Sequence, residues 1–370
     1  HARGYPAGLC RALVYGAEHV YAKRYWIIDD SYSMTKKDGH FLLYTPVTNK
    51  KNANEPEQPD SYRLEQAPCS RWNELQETVL QHALLAHHLD IPTDFRLLNA
   101  PTGHFRIPRT FSRHSNNNNN NNNNLADVQQ AQKILSRTQP RGVTPLTERL
   151  KVVHKELQQS VLPKLQPCQK VAIVLATDGL PTNDGDDGSS TPQAKRDFQQ
   201  ALQALPADKV SIVIRLCTDD VDVVSFYHAL EELQQGTCHP NVHVVDDYGA
   251  EATRVHAHNP WLNYGLVLHR LREMACCCMH DNNDNNHYSV PLLKVLSQRP
   301  LTPMEVMEFC AFLFNHSTED ESWNTWDAFQ EWVGQQNQSQ PGVWNPISAQ
   351  VEPWVNLEKY HRHELPSATA

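Results

Sequence analysis

The sequence predicts an α/β protein built on a doubly wound, mainly parallel sheet, with a helical, Trp-rich C-terminal extension. Four short apolar runs are continuous and rich in β-branched residues, as expected of parallel strands that are covered on both faces. They lie at residues 25–28, 171–175, 210–214 and 242–245. Segments with helical periodicity separate these runs, and alternation of strand and helix is typical of this fold class.

Helical segments connect the predicted strands in order. Trp72, Leu75, Val79 and Ala83 recur at spacings of three and four after Ser70, a residue type that caps helix N-termini. A similar periodicity follows Thr144-Pro145, where proline suits the first helical turn because that position needs no backbone N–H. The other predicted elements are a helix over 146–161, a weak strand at 95–98, an edge strand at 105–107, a helix from Thr191-Pro192 to Leu205 and a helix over 221–233.

Two polar stretches interrupt this pattern. Residues 35–68 predict a long loop after the first strand, and the asparagine run at 116–124 predicts disorder because it cannot bury apolar surface. Both are typical of insertions at loop positions. We therefore expect an N-terminal lead over residues 1–20, an α/β domain over 21–258 with insertions at 35–68 and 113–124, and an extension over 259–370.

The extension is predicted to be helical. Residues 259–274 form an amphipathic pattern, and Thr302 with Glu305 predicts a capping box that has Pro303 at its first helical position. Aromatic residues then recur at spacings of three, and two more tryptophans follow: Trp323, Trp326, Phe329, Trp332, Trp344 and Trp354. Such a stripe packs on its own protein more often than it binds a ligand; an unpacked stripe would be an interaction surface.

Composition disfavours nucleic-acid binding, a membrane span and a disulfide framework. The formal net charge of the 370 residues is −9 and no dense Lys/Arg stripe occurs, which disfavours nucleic-acid binding. No run of eighteen apolar residues occurs, so no membrane span is expected. Nine irregularly placed cysteines do not form a disulfide framework and favour a reducing setting, either cytoplasmic or nuclear. The chain begins at His1 rather than Met, which leaves any targeting segment undetermined.

Oxygen-bearing side chains follow two of the predicted strands. Asp29, Ser31 and Ser33 occupy alternate positions after the first strand, and Asp178 follows the strand at 171–176. Thr144 adds a hydroxyl at a predicted helix N-terminus. Ligands of open parallel sheets bind beyond the carboxyl ends of strands. Two carboxylates and three hydroxyls could there form an all-oxygen, octahedral site for Mg²⁺ or Mn²⁺.

The three pieces Asp-x-Ser-x-Ser (29–33), Thr-Pro-Leu (144–146) and Thr-Asp-Gly (177–179) resemble, in this order, the metal-ion-dependent adhesion site of von Willebrand factor A domains. The resemblance covers residues 20–258 and implies a Rossmann-like domain. It implies that Ser31, Ser33 and Thr144 ligate the cation through their hydroxyls. Asp29 and Asp178 would ligate it directly or through water, and an Asp or Glu carboxylate of a partner protein would take the sixth position. Position 32 is tyrosine where the family usually has glycine.

Three functions therefore remain open. The first is an intracellular protein-interaction module that binds an acidic side chain through the cation. The second is a metal-dependent hydrolase, for which Asp30 or Asp184 would be the general base. The third is a platform whose Trp-rich extension performs recognition. No catalytic triad or phosphate-binding loop is evident, so we expect no enzyme activity.

Two further metal-binding interpretations do not fit the sequence. The acidic stretches at 184–188 and 281–286 lack the EF-hand pattern. Cys276 to Cys278 with His280 lack the second cysteine pair of a structural zinc site. The partner and the oligomeric state are left open by the sequence.

Overall fold

The computed structural model describes residues 6–47, 61–100, 103–109, 125–183, 188–233, 241–275, 292–316, 323 and 325–360. These residues belong to two compact units. One is bounded by Ala17–Asp246, and the other combines His1–Gly16 with Asp247–Ala370. The predictions for the asparagine run, for residues 184–187 and 281–286 and for Cys276 to Cys278 concern residues outside the described ranges.

A six-stranded, mostly parallel sheet forms the centre of the first unit, which confirms the predicted α/β class. In chain order the strands of the protein are β1 (Tyr21–Ile28), β2 (Gly39–Val47), β3 (Ser61–Cys69), β4 (Thr93–Leu97), β5 (Phe105–Ile107), β6 (Lys170–Thr177), β7 (Val210–Leu216), β8 (Asn241–Val245), β9 (Val343–Asn345) and β10 (Gln350–Glu352). The order in the central sheet is β5-β4-β1-β6-β7-β8. All neighbours are parallel except β5, which pairs antiparallel with β4 at the predicted edge.

The described ranges contain eleven α-helices, of which five begin where the sequence signals predict and four were not predicted. The eleven are α1 (Ala7–Tyr15), α2 (Arg71–His88), α3 (Ala126–Arg137), α4 (Leu146–Glu156), α5 (Pro192–Gln203), α6 (Val221–Glu232), α7 (Tyr248–His258), α8 (Leu266–Glu273), α9 (Leu292–Val295), α10 (Pro303–Phe314) and α11 (Trp326–Ser339). Ser70 caps α2 by accepting a hydrogen bond from Asn73 N, and Thr191 caps α5 by accepting one from Ala194 N. No helix in the described ranges is both long and apolar enough to cross a membrane.

Both faces of the central sheet are covered. On one face, Ile27 of β1, Leu175 of β6 and Ile212 of β7 share a buried apolar cluster with residues of α4, α5 and α6. On the other face, the ring of Trp26 lies 4.5 Å from the ring of His82 in α2. Burial on two faces explains why these strands read as continuous apolar runs instead of alternating ones.

The prediction of a loop over residues 35–68 was wrong at 39–47 and 61–68, where two strands lie; residues 48–60 are outside the described ranges. β2 and β3 pair antiparallel in a two-stranded sheet, with Gly39 opposite Cys69 and Val47 opposite Ser61. Backbone N–H and C=O groups form such a ladder whatever the polarity of the side chains. The polar residues that dominate the segment as a whole hid the apolar run at 41–44, which is typical of a strand.

The second unit contains the predicted capping box. The Thr302 side chain accepts a hydrogen bond from Glu305 N, and the Glu305 carboxylate accepts one from Thr302 N. The predicted helix over 259–274 was wrong in its first part, because α8 begins only at Leu266. The buried amide of Asn259 donates hydrogen bonds to the carbonyls of Leu296 (2.8 Å) and Arg299 (3.0 Å). These bonds hold the residues before α8 in a non-helical conformation.

The aromatic stripe is only partly helical. Trp323 precedes α11, which starts at Trp326 after the capping residue Thr325. The rings of Trp323 and Trp332 are 4.4 Å apart, and Phe329 is fully buried beside them. The stripe therefore makes extensive ring contacts within its own unit.

Candidate metal centre

The site lies at the point where the winding of the central sheet reverses. β1 and β6 are neighbours, but the chain continues from β1 towards β4 on one side and from β6 towards β7 on the other. Crevices at such points are the usual ligand sites of doubly wound sheets. Asp29 follows β1 and Asp178 follows β6, so both carboxylates lie at this position.

Asp29 is fully buried. One of its carboxylate oxygens accepts a hydrogen bond from Ser31 N (2.8 Å), and the other accepts one from the Thr177 hydroxyl (2.6 Å). Burial, and then the neighbouring charge of Asp178, raise the pKa of Asp29 above its usual value. The two carboxylates are therefore both buried and close enough to repel each other.

The two serines connect this loop to Asp178. Ser31 Oγ lies 3.0 Å from Ser33 Oγ, and Ser33 Oγ donates a hydrogen bond to Asp178 Oδ1 (2.7 Å). Ser31 is buried, whereas Ser33 is half-buried. Ser33 is thus the most exposed of the five predicted site residues.

Thr144 approaches the same end of the sheet from the loop before α4. Its backbone N–H donates to the Thr182 hydroxyl (3.0 Å), and Thr182 N donates to the Thr144 carbonyl (3.0 Å). A Cβ atom at position 179 would lie 3.2 Å from Thr144 Oγ1, so Gly179 allows close approach of this hydroxyl. The structure therefore brings all five predicted side chains to one end of the sheet.

The loop before Thr144 also contacts the first loop of the site. Gly142 has φ +82°, a left-handed conformation that favours glycine. Its carbonyl accepts a hydrogen bond from Tyr32 N (3.2 Å), and Arg141 N donates to the Asp30 carbonyl (2.7 Å). These backbone bonds fix the spacing between the Ser31 loop and the Thr144 loop.

A buried arginine contacts the site and was not foreseen from the sequence. Arg71 Nη1 donates a hydrogen bond to Asp178 Oδ2 (3.0 Å), while its Nε (2.6 Å) and Nη2 (2.5 Å) donate to the Asp38 carboxylate. These hydrogen bonds hold the pKa of Asp38 below its usual value, although partial burial opposes the effect. Arg71 is the first residue of α2 and is far from Asp178 in sequence, so no local pattern marks it.

Hydroxyl groups around Asp178 were also missed. Thr177 belongs to the Thr-Asp-Gly motif, but its bond to Asp29 had no sequence signal. The Tyr227 hydroxyl donates to the Gly179 carbonyl (2.9 Å) and fixes the turn after Asp178. These contacts join residues from different strands and helices, which sequence spacing does not reveal.

Asp30, one of the two residues considered as a general base, holds the loops together. Its side chain accepts a hydrogen bond from Asn99 N (2.7 Å) and is only 1% exposed. Burial raises the pKa of Asp30. The other residue, Asp184, lies outside the described ranges.

The donor set suits a hard divalent cation. Carboxylate and hydroxyl oxygens are the ligands that Mg²⁺ and Mn²⁺ prefer. Within the described ranges, no group of three or more His, Cys, Asp or Glu side chains is placed to hold a metal ion. The oxygen cluster contains only two such residues, and its remaining donors are hydroxyls. A cation here would relieve the repulsion between Asp29 and Asp178.

Comparison with known proteins assigns no family. No family model and no curated protein sequence matches the chain. Similar solved structures include proximal thread matrix protein 1 from the mussel byssus, with 13% identity and a TM-score of 0.29 over 53% of this chain and 38% of that chain. They also include the PilB minor pilin from Streptococcus sanguinis, with 14% identity and a TM-score of 0.34 over 62% of this chain and 57% of that chain. The chain spans less than two thirds of either protein, and similarity at this level supports no inference about function.

Proposed function

We propose that the unit spanning Ala17–Asp246 is a von Willebrand factor A-type interaction module. In this proposal Mg²⁺, or Mn²⁺, binds at the carboxyl ends of β1 and β6 and captures an Asp or Glu carboxylate of a partner protein. The supporting observation is that five oxygen-bearing side chains from three separate loops meet where the sheet winding reverses: Asp29, Ser31, Ser33, Thr144 and Asp178.

The balance of charge supports a partner carboxylate as the ligand. The cluster supplies two carboxylates, and one of them, Asp178, is already paired with Arg71. A divalent cation would therefore keep positive charge and would form a charge-assisted contact with an incoming carboxylate. Ser33 is the most exposed member of the set, so we expect the partner to approach on its side.

Metal binding is tested first, by calorimetric titration of Mg²⁺ and Mn²⁺ into metal-stripped protein. Asp178→Asn and Thr144→Val keep the shapes of two proposed ligands and remove a charge or a hydroxyl. We expect saturable binding that each variant weakens by about tenfold or more. Ser136→Ala, which removes an exposed hydroxyl in α3, is the matched control and should bind like the wild type.

The partner is tested on the metal-loaded protein with a short Asp-containing peptide and its Asn counterpart. We expect only the Asp peptide to bind, and only in the presence of the cation. If folded wild-type protein binds neither Mg²⁺ nor Mn²⁺, the proposal is wrong, and recognition by the Trp-rich extension becomes the leading candidate. Metal-dependent hydrolysis without carboxylate binding would instead favour the hydrolase.

A further inference from the structure

We propose that Arg71 and Asp38 set how strongly the site binds its cation. Arg71 would compete with the cation for Asp178, and Asp38 would weaken that competition by sharing the same guanidinium. This inference rests on the proposed cation site. It assigns a role in tuning affinity to two residues that are not proposed ligands.

The geometry places one guanidinium between two carboxylates. Arg71 gives a single hydrogen bond to Asp178 (3.0 Å) and two to Asp38 (2.6 and 2.5 Å). The side chains of Arg71 and Asp178 are 5% and 0% exposed, whereas that of Asp38 is 48% exposed. The contact between Arg71 and Asp178 is therefore poorly screened by water, and the contact with Asp38 lies on the solvent side.

A buried positive charge beside Asp178 acts against a second cation. Arg71 stabilises the negative charge of Asp178 before any metal binds, and it repels a divalent ion that contacts the same carboxylate. Arg71 also adds positive charge beside a bound cation, which favours contact with a partner carboxylate. Removal of the Arg71 charge should therefore strengthen cation binding and weaken carboxylate binding. Removal of a side chain that ligates the cation should weaken both.

Asp38 should act in the opposite direction. The negative charge of Asp38 offsets the positive charge of Arg71. Asp38 also accepts hydrogen bonds from Nε and Nη2 of the guanidinium. Asp38→Asn removes this offset, so Arg71 should pair more strongly with Asp178 and the site should bind cations more weakly. Asp38 follows the Ser33 loop and directly precedes β2, so a change at this position would be transmitted to the cation site through Arg71.

The experiment is a calorimetric titration of Mn²⁺ into metal-stripped wild type, Arg71→Met and Asp38→Asn. We expect Arg71→Met to bind Mn²⁺ about tenfold more tightly and Asp38→Asn about threefold more weakly than the wild type. Removal of one charge near the cation site changes binding free energy by amounts of this order. Arg106→Met removes a positive charge that is 62% exposed and pairs with Asp94; it is the control and should stay within about twofold of the wild type. Near-UV circular dichroism checks that each variant is folded.

The outcomes separate this inference from the proposed function. If the wild type binds no Mn²⁺, the cation site itself is wrong. If the wild type binds but folded Arg71→Met binds equally or more weakly, Arg71 only supports the fold and the inference is overturned. If Arg71→Met does not fold, Asp38→Asn decides: weaker binding supports the inference, and equal or tighter binding overturns it.

Discussion

Each of the two units contains a buried polar cluster, and the clusters differ in charge balance. In the second unit, Arg272 is fully buried and pairs with Glu251. Its guanidinium also donates a hydrogen bond to Ser297 Oγ (3.1 Å), and the nearby Glu273 pairs with Arg270 (2.8 Å). Every carboxylate named in this cluster thus meets an arginine.

The cluster at Asp29 and Asp178 has a different composition. Burial and the neighbouring charge of Asp178 raise the pKa of Asp29, and Arg71, which pairs with Asp178, is shared with Asp38. Buried charges destabilise the folded state unless they are paired. A cluster in which each charge is paired therefore needs no bound ligand to account for it. A cluster with unbalanced negative charge has a reason to bind a cation from outside. Charge balance, more than burial, therefore distinguishes a structural cluster from a candidate site.

The largest expected effect comes from breaking the balanced cluster. Arg272→Met removes the guanidinium that faces buried Glu251, and loss of one partner of a buried ion pair typically lowers the free energy of unfolding by about 3–5 kcal/mol. Urea denaturation followed by circular dichroism and tryptophan fluorescence measures this change. Arg299→Met breaks the exposed pair with Glu305 and should cost less than about 1 kcal/mol. Equal effects of the two variants would contradict the structural role of Arg272.

Added cation should stabilise the protein through the unbalanced cluster. At a Mg²⁺ concentration of about 100 times its Kd, binding to the folded state alone adds about 2.7 kcal/mol to the free energy of unfolding. We expect the full increment in the wild type and in Arg272→Met, and about 1.4 kcal/mol or less in Asp178→Asn, because a Kd at least tenfold higher lowers the increment at the same Mg²⁺ concentration. Urea titrations with and without Mg²⁺ measure it, and an undiminished increment in Asp178→Asn would place the cation elsewhere.

A third polar cluster tests whether a structural cluster is distinguished from a candidate site by its charge balance or by the unit to which it belongs. Glu156 lies in the first unit and accepts hydrogen bonds from the Tyr25 hydroxyl (2.7 Å), Lys23 (3.1 Å) and Arg96. Burial raises the pKa of Glu156, but these hydrogen bonds outweigh burial and lower the pKa to about 2. The cluster is therefore balanced although it belongs to the α/β unit.

Because the folded-state pKa of Glu156 is lowered, its contribution to stability is present above the unfolded-state pKa of 4.5 and is lost as the pH falls through about 2. Its side chain is 30% exposed, so water screening limits the effect, and Glu156→Gln should cost about 1 kcal/mol at pH 7. The difference from the wild type should shrink between pH 4.5 and pH 2. Urea denaturation across this range measures it, and a difference independent of pH would indicate lost packing instead of lost charge.

The smallest expected effect concerns Tyr32, between two of the proposed ligands. Its side chain is 72% exposed, so Tyr32→Ala should change the free energy of unfolding by less than about 0.5 kcal/mol. Its contacts with the neighbouring loops use the backbone, which the substitution keeps. Mn²⁺ affinity measured by calorimetry should therefore equal that of the wild type, and a clear change would show that the ring covers the cluster.

Features that depend on neighbours in sequence could be predicted. The caps of α2 and α5, the capping box of α10 and the apolar runs of β1 and β6 each follow from local chemistry. The placement of Asp29 and Asp178 at one edge follows from parallel pairing of their strands.

Features that depend on tertiary contacts could not be predicted. Arg71 meets Asp178 only because α2 packs near the end of β6, and Asn259 interrupts a helical pattern through bonds to residues that follow much later. The N-terminal helix α1 belongs with the C-terminal residues in one unit, a contact between distant segments that local patterns do not encode.

The two-stranded sheet of β2 and β3 begins and ends at nearly the same place within the first unit. Gly39 pairs with Cys69, and Arg71 N donates a hydrogen bond to the Lys36 carbonyl (2.9 Å). Because the two ends are held together, a change in the length of the segment between them alters loop-closure entropy only slightly. We therefore expect a change in the length of this segment to leave the pairing of Arg71 with Asp38, and with it the candidate cation site, in place.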